Sequence, residues 1–155
     1  MTLVVYVGGA RSGKSRLAVE RARAEGRPVT FVATGEAGDE EMAERIERHR
    51  AERPGGWTTI EEPVELDRAV ASVPPGDTVV VDCLSLWVAN GGDGAVPAAR
   101  AGLTIAVTNE VGLGIVPDNE LARSYRDELG RVNAAWVEAA DEAYFVVAGR
   151  ALRLS

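Results

Sequence analysis

The sequence predicts an α/β fold with a mostly parallel sheet and helices on both faces, and three observations support this fold class. Continuous apolar runs of strand length recur along the chain, as expected for strands that are buried on both faces of a parallel sheet. Helix-forming stretches separate most of these runs, and glycine or proline follows most of the stretches. No internal repeat or long linker is visible, so we expect residues 1–155 to form a single domain.

Strands and helices alternate through the first half of the chain. The first apolar run breaks at two glycines, and the helical stretch after it ends before Gly26 and Pro28. A second helical stretch is acidic in its first turn and basic in its last turn, which complements the helix dipole. The predicted elements are a strand at 3–7, a helix at 14–23, a strand at 29–33, a helix from Asp39 to about Glu52, a short strand at 58–60 and a helix at 64–72.

The second half of the chain continues this alternation. Strands are predicted at 78–82 and 103–107, separated by a glycine-rich stretch at 91–94. The longest helix should start near Pro117 and Asp118, and a buried strand at 144–148 should close the chain. One face of the long helix is predicted from apolar residues at three- and four-residue spacing, namely Leu121, Tyr125, Leu129, Val132 and Trp136.

Composition narrows the function classes. The chain has 155 residues, 46% of them hydrophobic, and 24 acidic side chains outnumber 17 basic ones for a net charge of −7. This balance argues against a nucleic-acid-binding protein and against a polybasic membrane-binding surface. No stretch approaches the roughly 20 apolar residues of a membrane helix, and the N-terminus begins like a strand rather than a signal peptide. Cys83 is the single cysteine, which excludes an internal disulfide, so we expect a soluble, cytoplasmic protein.

A phosphate-binding loop is the clearest motif. It fits the pattern G-x-x-x-x-G-K-[ST] and lies between a predicted buried strand and a predicted helix. In such a loop, backbone N–H groups and the helix N-terminus bind phosphate oxygens, the lysine reaches the β- and γ-phosphates, and the last hydroxyl ligates Mg²⁺. The alternative is a glycine turn that matches by chance. The motif residues are Gly8, Gly9, Ala10, Arg11, Ser12, Gly13, Lys14 and Ser15.

Asp82 ends an apolar strand, the position of a Walker-B carboxylate. Such a residue can hold the nucleotide-bound Mg²⁺, although an acidic residue at a strand end is also common without this function. Together with Ser15, Asp82 therefore predicts a magnesium site. The motif and the strand–helix alternation predict a P-loop NTPase fold of the RecA-like kind.

His49 is the only histidine in the chain. On the predicted helix it shares one face with Met42 and Ile46, which we expect to point inward. A neutral imidazole can attack an α-phosphate and form a phosphoramidate, and nearby guanidinium groups can hold the phosphates. From spacing alone, a surface histidine flanked by solvated arginines is the favoured interpretation. The surrounding arginines are Arg45, Arg48, Arg50 and Arg53.

The wider pattern resembles one family. The shared stretches are the phosphate loop, Ala33-Thr34, residues 39–46 with His49-Arg50 and Arg53-Pro54, residues 57–61, residues 81–84, residues 108–117, residues 121–123, Arg126-Asp127 and residues 130–133. In these stretches the chain is similar to the bifunctional adenosylcobinamide kinase/adenosylcobinamide-phosphate guanylyltransferases of cobalamin biosynthesis. The stretch at 109–117 is more specific than the phosphate loop, which many families share.

The resemblance implies two transfer reactions. ATP or GTP phosphorylates the aminopropanol hydroxyl of adenosylcobinamide, and GMP is then transferred from GTP through a covalent histidine, here His49, with Lys14 as the other catalytic residue. Glu61 would accept from guanine N–H groups, although a solvated carboxylate beside Glu62 is the alternative. The resemblance also implies a homo-oligomer, with a trimer suggested. Beyond the phosphate loop, the implied nucleotide contacts are Ala33, Thr34, Gly35, Arg50, Ala51, Glu52, Arg53, Glu61 and Asp82.

The chain departs from the family at residues 90–102, where a longer helical connection is usual. The stretch from 83 to 102 is still long enough for a parallel crossover, which needs about a dozen residues.

Residues 109–117 follow the carboxyl end of a predicted parallel strand, which is where ligands bind in such sheets. Their glycines also fit a simple turn before the long helix. Trp87 and Trp136 are expected to be packing residues.

Two other functions fit parts of the pattern. A P-loop small-molecule kinase without guanylyltransfer needs the phosphate loop but no nucleophilic histidine. A GTP-binding regulatory module of the Ras kind needs a water-orienting glutamine, and this chain contains no glutamine.

Overall fold

The structure is a computed structural model that describes residues 2–36 and 38–154. Its element order confirms the predicted alternation of strands and helices. The strands are β1 (Thr2–Gly8), β2 (Val29–Ala33), β3 (Thr58–Glu61), β4 (Thr78–Asp82), β5 (Leu103–Asn109), β6 (Glu142–Val147) and β7 (Arg150–Arg153). The helices are α1 (Lys14–Ala24), α2 (Glu40–Glu52), α3 (Leu66–Ala71), α4 (Leu84–Ala89) and α5 (Glu120–Ala139).

One sheet organises the molecule, with strand order β3-β2-β4-β5-β1-β6-β7. All neighbouring strands are parallel except the last pair, in which β7 runs antiparallel to β6. The strand β5 lies between β1 and β4, so the loop after β1 and the end of β4 are separated by one strand. This arrangement confirms the predicted α/β class and is consistent with a P-loop NTPase fold.

Helices cover both faces of the sheet, as predicted. On one face, α1 packs Ala18 and Ala22 against the strands. On the other face, α3, α4 and α5 bury a larger cluster. Trp87 and Trp136 lie in that cluster with ring centroids 6.1 Å apart in an edge-to-face contact, so both are packing residues as expected.

Four expectations need correction. The short helix α4 was not predicted, and α3 is shorter than the predicted helix at 64–72. The strand β6 does not close the chain, because a turn at Ala148 and Gly149 leads into β7. Leu121 is 83% exposed rather than part of the buried stripe, because α5 extends beyond the core at its N-terminal end.

The connection between β4 and β5 is short but complete. Residues 90–102 contain no helix or strand, and Val96 packs against the larger core cluster. Trp136 Nε1 donates to the carbonyl of Gly94, and Arg100 donates to the carbonyls of Pro74 and Asp77. The parallel pairing of β4 with β5 confirms that this length suffices for the crossover.

None of the helices in the described part of the chain has the length and hydrophobicity needed to cross a bilayer.

Candidate functional site

A cavity of about 420 Å³ lies at the carboxyl ends of β2, β3, β4 and β5, beside the loop that joins β1 to α1. Ligands of parallel sheets bind at this edge, and the volume is typical of a small-molecule site. Most sequence-predicted site residues line this cavity: Ala10, Arg11, Ser12, Gly13, Lys14, Ser15, Ala33, Gly35, His49, Arg53, Glu61 and Asp82. The cavity lining does not include Gly8, Gly9, Thr34, Arg50, Ala51 or Glu52.

The loop of residues 9–13 has a conformation that depends on glycine. Gly13 has φ +99°, a left-handed value that side chains rarely adopt, and it directly precedes the first turn of α1. Gly149, in the turn between β6 and β7, donates its N–H to the carbonyl of Ser12 at 2.7 Å. This hydrogen bond attaches the loop to the turn between β6 and β7. The N-terminus of α1 faces the cavity, since Lys14 and Ser15 line it.

Lys14 is buried at the base of this loop. Its Nζ donates to the carbonyl of Gly9 at 2.9 Å. Burial lowers the pKa of Lys14, and the nearby Asp82 carboxylate partly opposes this shift. An ammonium group with a single protein acceptor still has two donors for phosphate oxygens.

Ser15 and Asp82 meet across the cavity floor. Ser15 Oγ donates to Asp82 Oδ2 at 3.1 Å. Burial raises the pKa of Asp82, and His49, Ser15, Lys14 and Arg53 each oppose that rise. A buried carboxylate surrounded by these groups is stabilised further by any cation that binds beside it.

His49 lies on α2 with Met42 and Ile46, and all three residues line the cavity. The shared face was predicted correctly, but its surroundings were not, because α2 contributes no buried residue to the core. The N-cap of α2 is Asp39, which accepts from the N–H of Met42 at 2.8 Å. The helix therefore presents this face to the cavity rather than to the sheet.

Arg53 and Arg50 have different environments. The guanidinium of Arg53 lies 3.9 Å from the ring centroid of Phe31 and donates to Thr59 Oγ1 at 3.1 Å. Arg50 instead pairs with Glu61 and with Glu47. Burial lowers the pKa of Arg53. Of these two arginines, Arg53 lines the cavity, whereas Arg50 lies outside the cavity lining and pairs with the Glu61 carboxylate.

Thr34 ties β2 to β4. Its Oγ1 donates to the carbonyl of Cys83 at 2.7 Å and accepts from the N–H of Cys83 at 2.9 Å. Thr34 is fully buried, so it positions the end of β4 and its Asp82 from behind the cavity wall. Burial raises the pKa of the Cys83 thiol to about 11, which keeps it protonated at neutral pH.

Sequence reasoning missed four residues that line the cavity: Arg16, Phe31, Cys83 and Leu86. Phe31 could have been found, because it lies two residues before Ala33 and shares its face of the strand. Leu86 belongs to the unpredicted helix α4. Asn109, at the end of β5, was recognised as the start of a specific stretch, and it also lines the cavity.

Comparison with known proteins decides the family. The model of the family described as "Cobinamide kinase / cobinamide phosphate guanyltransferase" matches residues 3–99 and 94–154. The chain belongs to this family. The resemblance recognised in the sequence is thereby confirmed.

Three curated relatives agree with this assignment. The chain is 43% identical to the bifunctional adenosylcobalamin biosynthesis protein CobP of Pseudomonas aeruginosa, over 94% of this chain and 92% of the relative. It is 38% identical to CobU of Escherichia coli and 36% identical to CobU of Salmonella typhimurium, each over 98% of this chain and 99% of the relative. Both names are those of bifunctional adenosylcobalamin biosynthesis proteins.

The comparisons also bear on the short connection. The alignments to the E. coli and Salmonella proteins run over 180 positions, more than the 155 residues of this chain, so the chain lacks segments that these relatives have. The two segments of the family match meet at residues 94–99. That position lies inside the connection at 90–102, where the sequence predicts the missing length.

Proposed function

We propose that one cavity serves two reactions: phosphorylation of adenosylcobinamide by ATP or GTP, and transfer of GMP from GTP to the product through His49. Family membership makes the chain a cobalamin-biosynthesis transferase with kinase and guanylyltransferase activities. The observation that carries the proposal is that His49 and the phosphate loop line the same cavity. A nucleotide held by the loop can then lie within reach of the histidine.

The phosphate loop would hold the triphosphate in both reactions. Its backbone and the α1 N-terminus supply N–H donors and a partial positive charge, and Lys14 supplies a full charge. Arg53, the residue that caps the C-terminus of α2, adds a guanidinium that is held in place over the Phe31 ring. The cavity lining has more cationic than anionic side chains, so an anionic ligand would offset the excess: the cations are Arg11, Lys14, Arg16, Arg45 and Arg53, and the carboxylates are Glu61 and Asp82.

Mg²⁺ fits the donors at the cavity floor. The Ser15 hydroxyl and the Asp82 carboxylate are oxygen donors in contact with each other, and Mg²⁺ is commonly held by one or two protein oxygens together with phosphates. The described part of the chain has no group of three or more His, Cys, Asp or Glu side chains that could hold a metal without a substrate. When bound, Mg²⁺ would neutralise phosphate charge.

In the kinase reaction, the acceptor hydroxyl oxygen attacks the γ-phosphorus. The new O–P bond forms as the bond to the β–γ bridging oxygen breaks, the hydroxyl proton passes to solvent water, and the nucleoside diphosphate leaves. Lys14 stabilises the charge that spreads over the γ- and β-phosphate oxygens. This reaction needs no covalent protein intermediate.

In the guanylyltransfer reaction, a neutral His49 nitrogen attacks the α-phosphorus of GTP. A P–N bond forms and pyrophosphate leaves, giving guanylylated histidine. A phosphate oxygen of adenosylcobinamide phosphate then attacks the same phosphorus, the P–N bond breaks, and adenosylcobinamide-GDP is released. Arg45 and Arg53 line the cavity beside His49 and can stabilise the negative charge at each step.

Covalent labelling tests the proposal. The protein is incubated with Mg²⁺ and α-labelled GTP in the absence of a corrinoid, and the protein-bound label is measured. We expect a label that is labile in acid and stable in alkali, as a phosphoramidate is, and its loss in His49→Ala. Arg48→Ala is the matched control, because Arg48 lies one position away on α2 but does not line the cavity. An unlabelled wild-type protein that still phosphorylates adenosylcobinamide would leave only the kinase reaction.

A further inference from the structure

Exposed apolar side chains are concentrated in the segment after β5. Five large hydrophobic residues of this segment are exposed, with Leu113 at 78% and Ile115 at 97%. A contiguous exposed apolar surface is typical of a site that binds a ligand or another molecule. We name these residues the apolar strip: Val111, Leu113, Ile115, Val116 and Leu121.

The apolar strip begins at the cavity. Asn109 lines the cavity, and the next residue, Glu110, donates its N–H to the carbonyl of Gly8 at 2.9 Å. Gly8 is the last residue of β1 and the first of the phosphate-loop motif. The end of the strip that begins at Val111 therefore follows directly on a residue bonded to the phosphate-loop motif.

The two ends of the segment are fixed. Ser85 Oγ accepts from the Asn109 N–H at 2.7 Å, and Asn133 Nδ2 donates to the Asn109 carbonyl at 3.0 Å. Asn133 also accepts from the buried Thr108 hydroxyl at 2.6 Å. At the other end, Arg123 donates to the carbonyl of Pro117 at 2.9 Å. The strip is thus presented from anchored ends, although its side chains are in solvent.

The polarity of the strip restricts its ligand. Residues 111–117 carry no charged side chain, and the carboxylate of Glu110 accepts from the N–H of Gly112. The peptide groups of residues 113–116 make no hydrogen bond within the described part of the chain. Apolar side chains beside free peptide groups suit a neutral ligand with a broad apolar face and amide groups at its edge.

The opposite rim of the cavity has a different character. Helix α2 presents charged side chains along its exposed surface, including Glu44, Glu47 and Arg48. The cavity itself has the volume of a site for one small molecule, which the nucleotide would occupy. An acceptor much larger than a nucleotide must therefore extend over a rim, and the part of the strip at residues 111–117 is a rim without charged side chains.

We propose that the apolar strip binds the corrin macrocycle of the acceptor and directs its aminopropanol hydroxyl toward the phosphate loop. This inference rests on the proposed function, which supplies the corrinoid as substrate. A corrin has broad apolar faces and a periphery of carboxamide groups, which match the side chains and the free peptide groups of the strip. The other occupant that could cover the strip is a second copy of the chain.

The experiment measures corrinoid binding directly. Equilibrium dialysis with adenosylcobinamide compares the wild type, the double variant Leu113→Ser/Ile115→Ser and the control Leu152→Ser. Leu152 is 65% exposed on the edge strand β7, so the control removes an exposed leucine without touching the strip. We expect the dissociation constant to rise at least about tenfold in the double variant and by less than about twofold in the control.

Two further measurements separate the possible failures. Sedimentation velocity compares the oligomeric state of the same proteins, and labelling of His49 by α-labelled GTP reports the nucleotide reaction without a corrinoid. Unchanged corrinoid binding in the double variant would overturn the proposal, as would a loss of binding accompanied by dissociation of an oligomer. Absence of labelling in the wild type would refute the proposed function at His49, while dialysis would still decide the role of the strip.

Discussion

The phosphate loop and helix α2 line the same cavity, but only the phosphate loop is held by the core. Lys14 is 8% exposed, and α1 buries Ala18 and Ala22 against the sheet directly behind the loop. Helix α2 has no buried residue, and His49 is exposed. The difference suggests a division of work in which the loop supplies a fixed phosphate site for both reactions. Helix α2 would then supply the reactive His49 from a face that is not packed in the core.

Lys14→Ala is expected to slow both reactions. If the loop serves both reactions, removal of its ammonium group should reduce the rates of phosphorylation and of guanylyltransfer together, each by about 100- to 1000-fold. Both rates are measured with adenosylcobinamide and its phosphate as acceptors. Loss of only one of the two rates would contradict this contrast between the loop and α2, because the loop would then act in a single reaction.

Gly8→Ala should affect folding. A Cβ at Gly8 would lie 2.7 Å from the backbone oxygen of Val146 and 2.6 Å from Ser12 Oγ, so the backbone must move. We expect the free energy of unfolding to fall by about 1–3 kcal/mol. Gly9→Ala is the matched control, because a Cβ at Gly9 meets nothing within 4 Å. Urea unfolding of both variants tests whether the loop is rigidly packed, and equal stabilities would show that it is not.

Arg53→Ala tests the side of the cavity that is formed by α2 and its C-terminal cap. The guanidinium faces the cavity and is held on the Phe31 ring, so we expect its removal to weaken GTP binding by about tenfold. Arg48→Ala should leave the affinity unchanged, because Arg48 does not line the cavity. Calorimetric titration with GTP measures both constants. An equal loss in both variants would indicate a general charge effect of α2.

The smallest effect concerns the ion pair that anchors α1. The Tyr144 hydroxyl donates to Glu142 Oε2 at 2.7 Å and Arg21 pairs with the same carboxylate, so the pKa of Glu142 lies below its ordinary value of 4.5. At a pH above 4.5, Glu142→Gln should therefore lower the free energy of unfolding by about 0.2–1 kcal/mol.

The stability difference between Glu142→Gln and the wild type should shrink as the pH falls through the pKa that Glu142 has in the folded state. A lowered pKa stabilises the folded state only while the carboxylate remains charged. Thermal unfolding at neutral and acidic pH checks this. A difference that is the same at both pH values would show that the carboxylate charge does not contribute.

The contrast between elements packed in the core and elements outside it also explains which parts of the fold could be predicted from the sequence. Strands such as β2 and β4 were predicted with the observed bounds, because continuous apolar runs are typical of strands buried on both faces. The phosphate loop could be predicted because its chemistry requires a fixed residue order. Helix α4 was missed because its six residues are too few to show a helical period. The strand β7 was missed because its four residues are all exposed.

Site residues beyond the loop were harder to predict from local pattern. The spacing of Met42, Ile46 and His49 correctly placed them on one face, but no local rule distinguishes a face turned to a cavity from one turned to a core. The pairing of Arg50 with Glu61 joins α2 to β3 and depends on the tertiary fold. Roles for His49 and Glu61 therefore came from the family resemblance, and they remain predictions.

The central claim is that one phosphate loop serves two reactions and that only one of them uses His49. The most direct test measures both reactions in a single preparation of His49→Ala: γ-phosphate transfer to adenosylcobinamide, and GMP transfer to adenosylcobinamide phosphate. We predict that phosphorylation stays within about threefold of the wild type while guanylyltransfer falls by more than about 1000-fold. Loss of both reactions in a stably folded variant, or retention of both, would contradict the account.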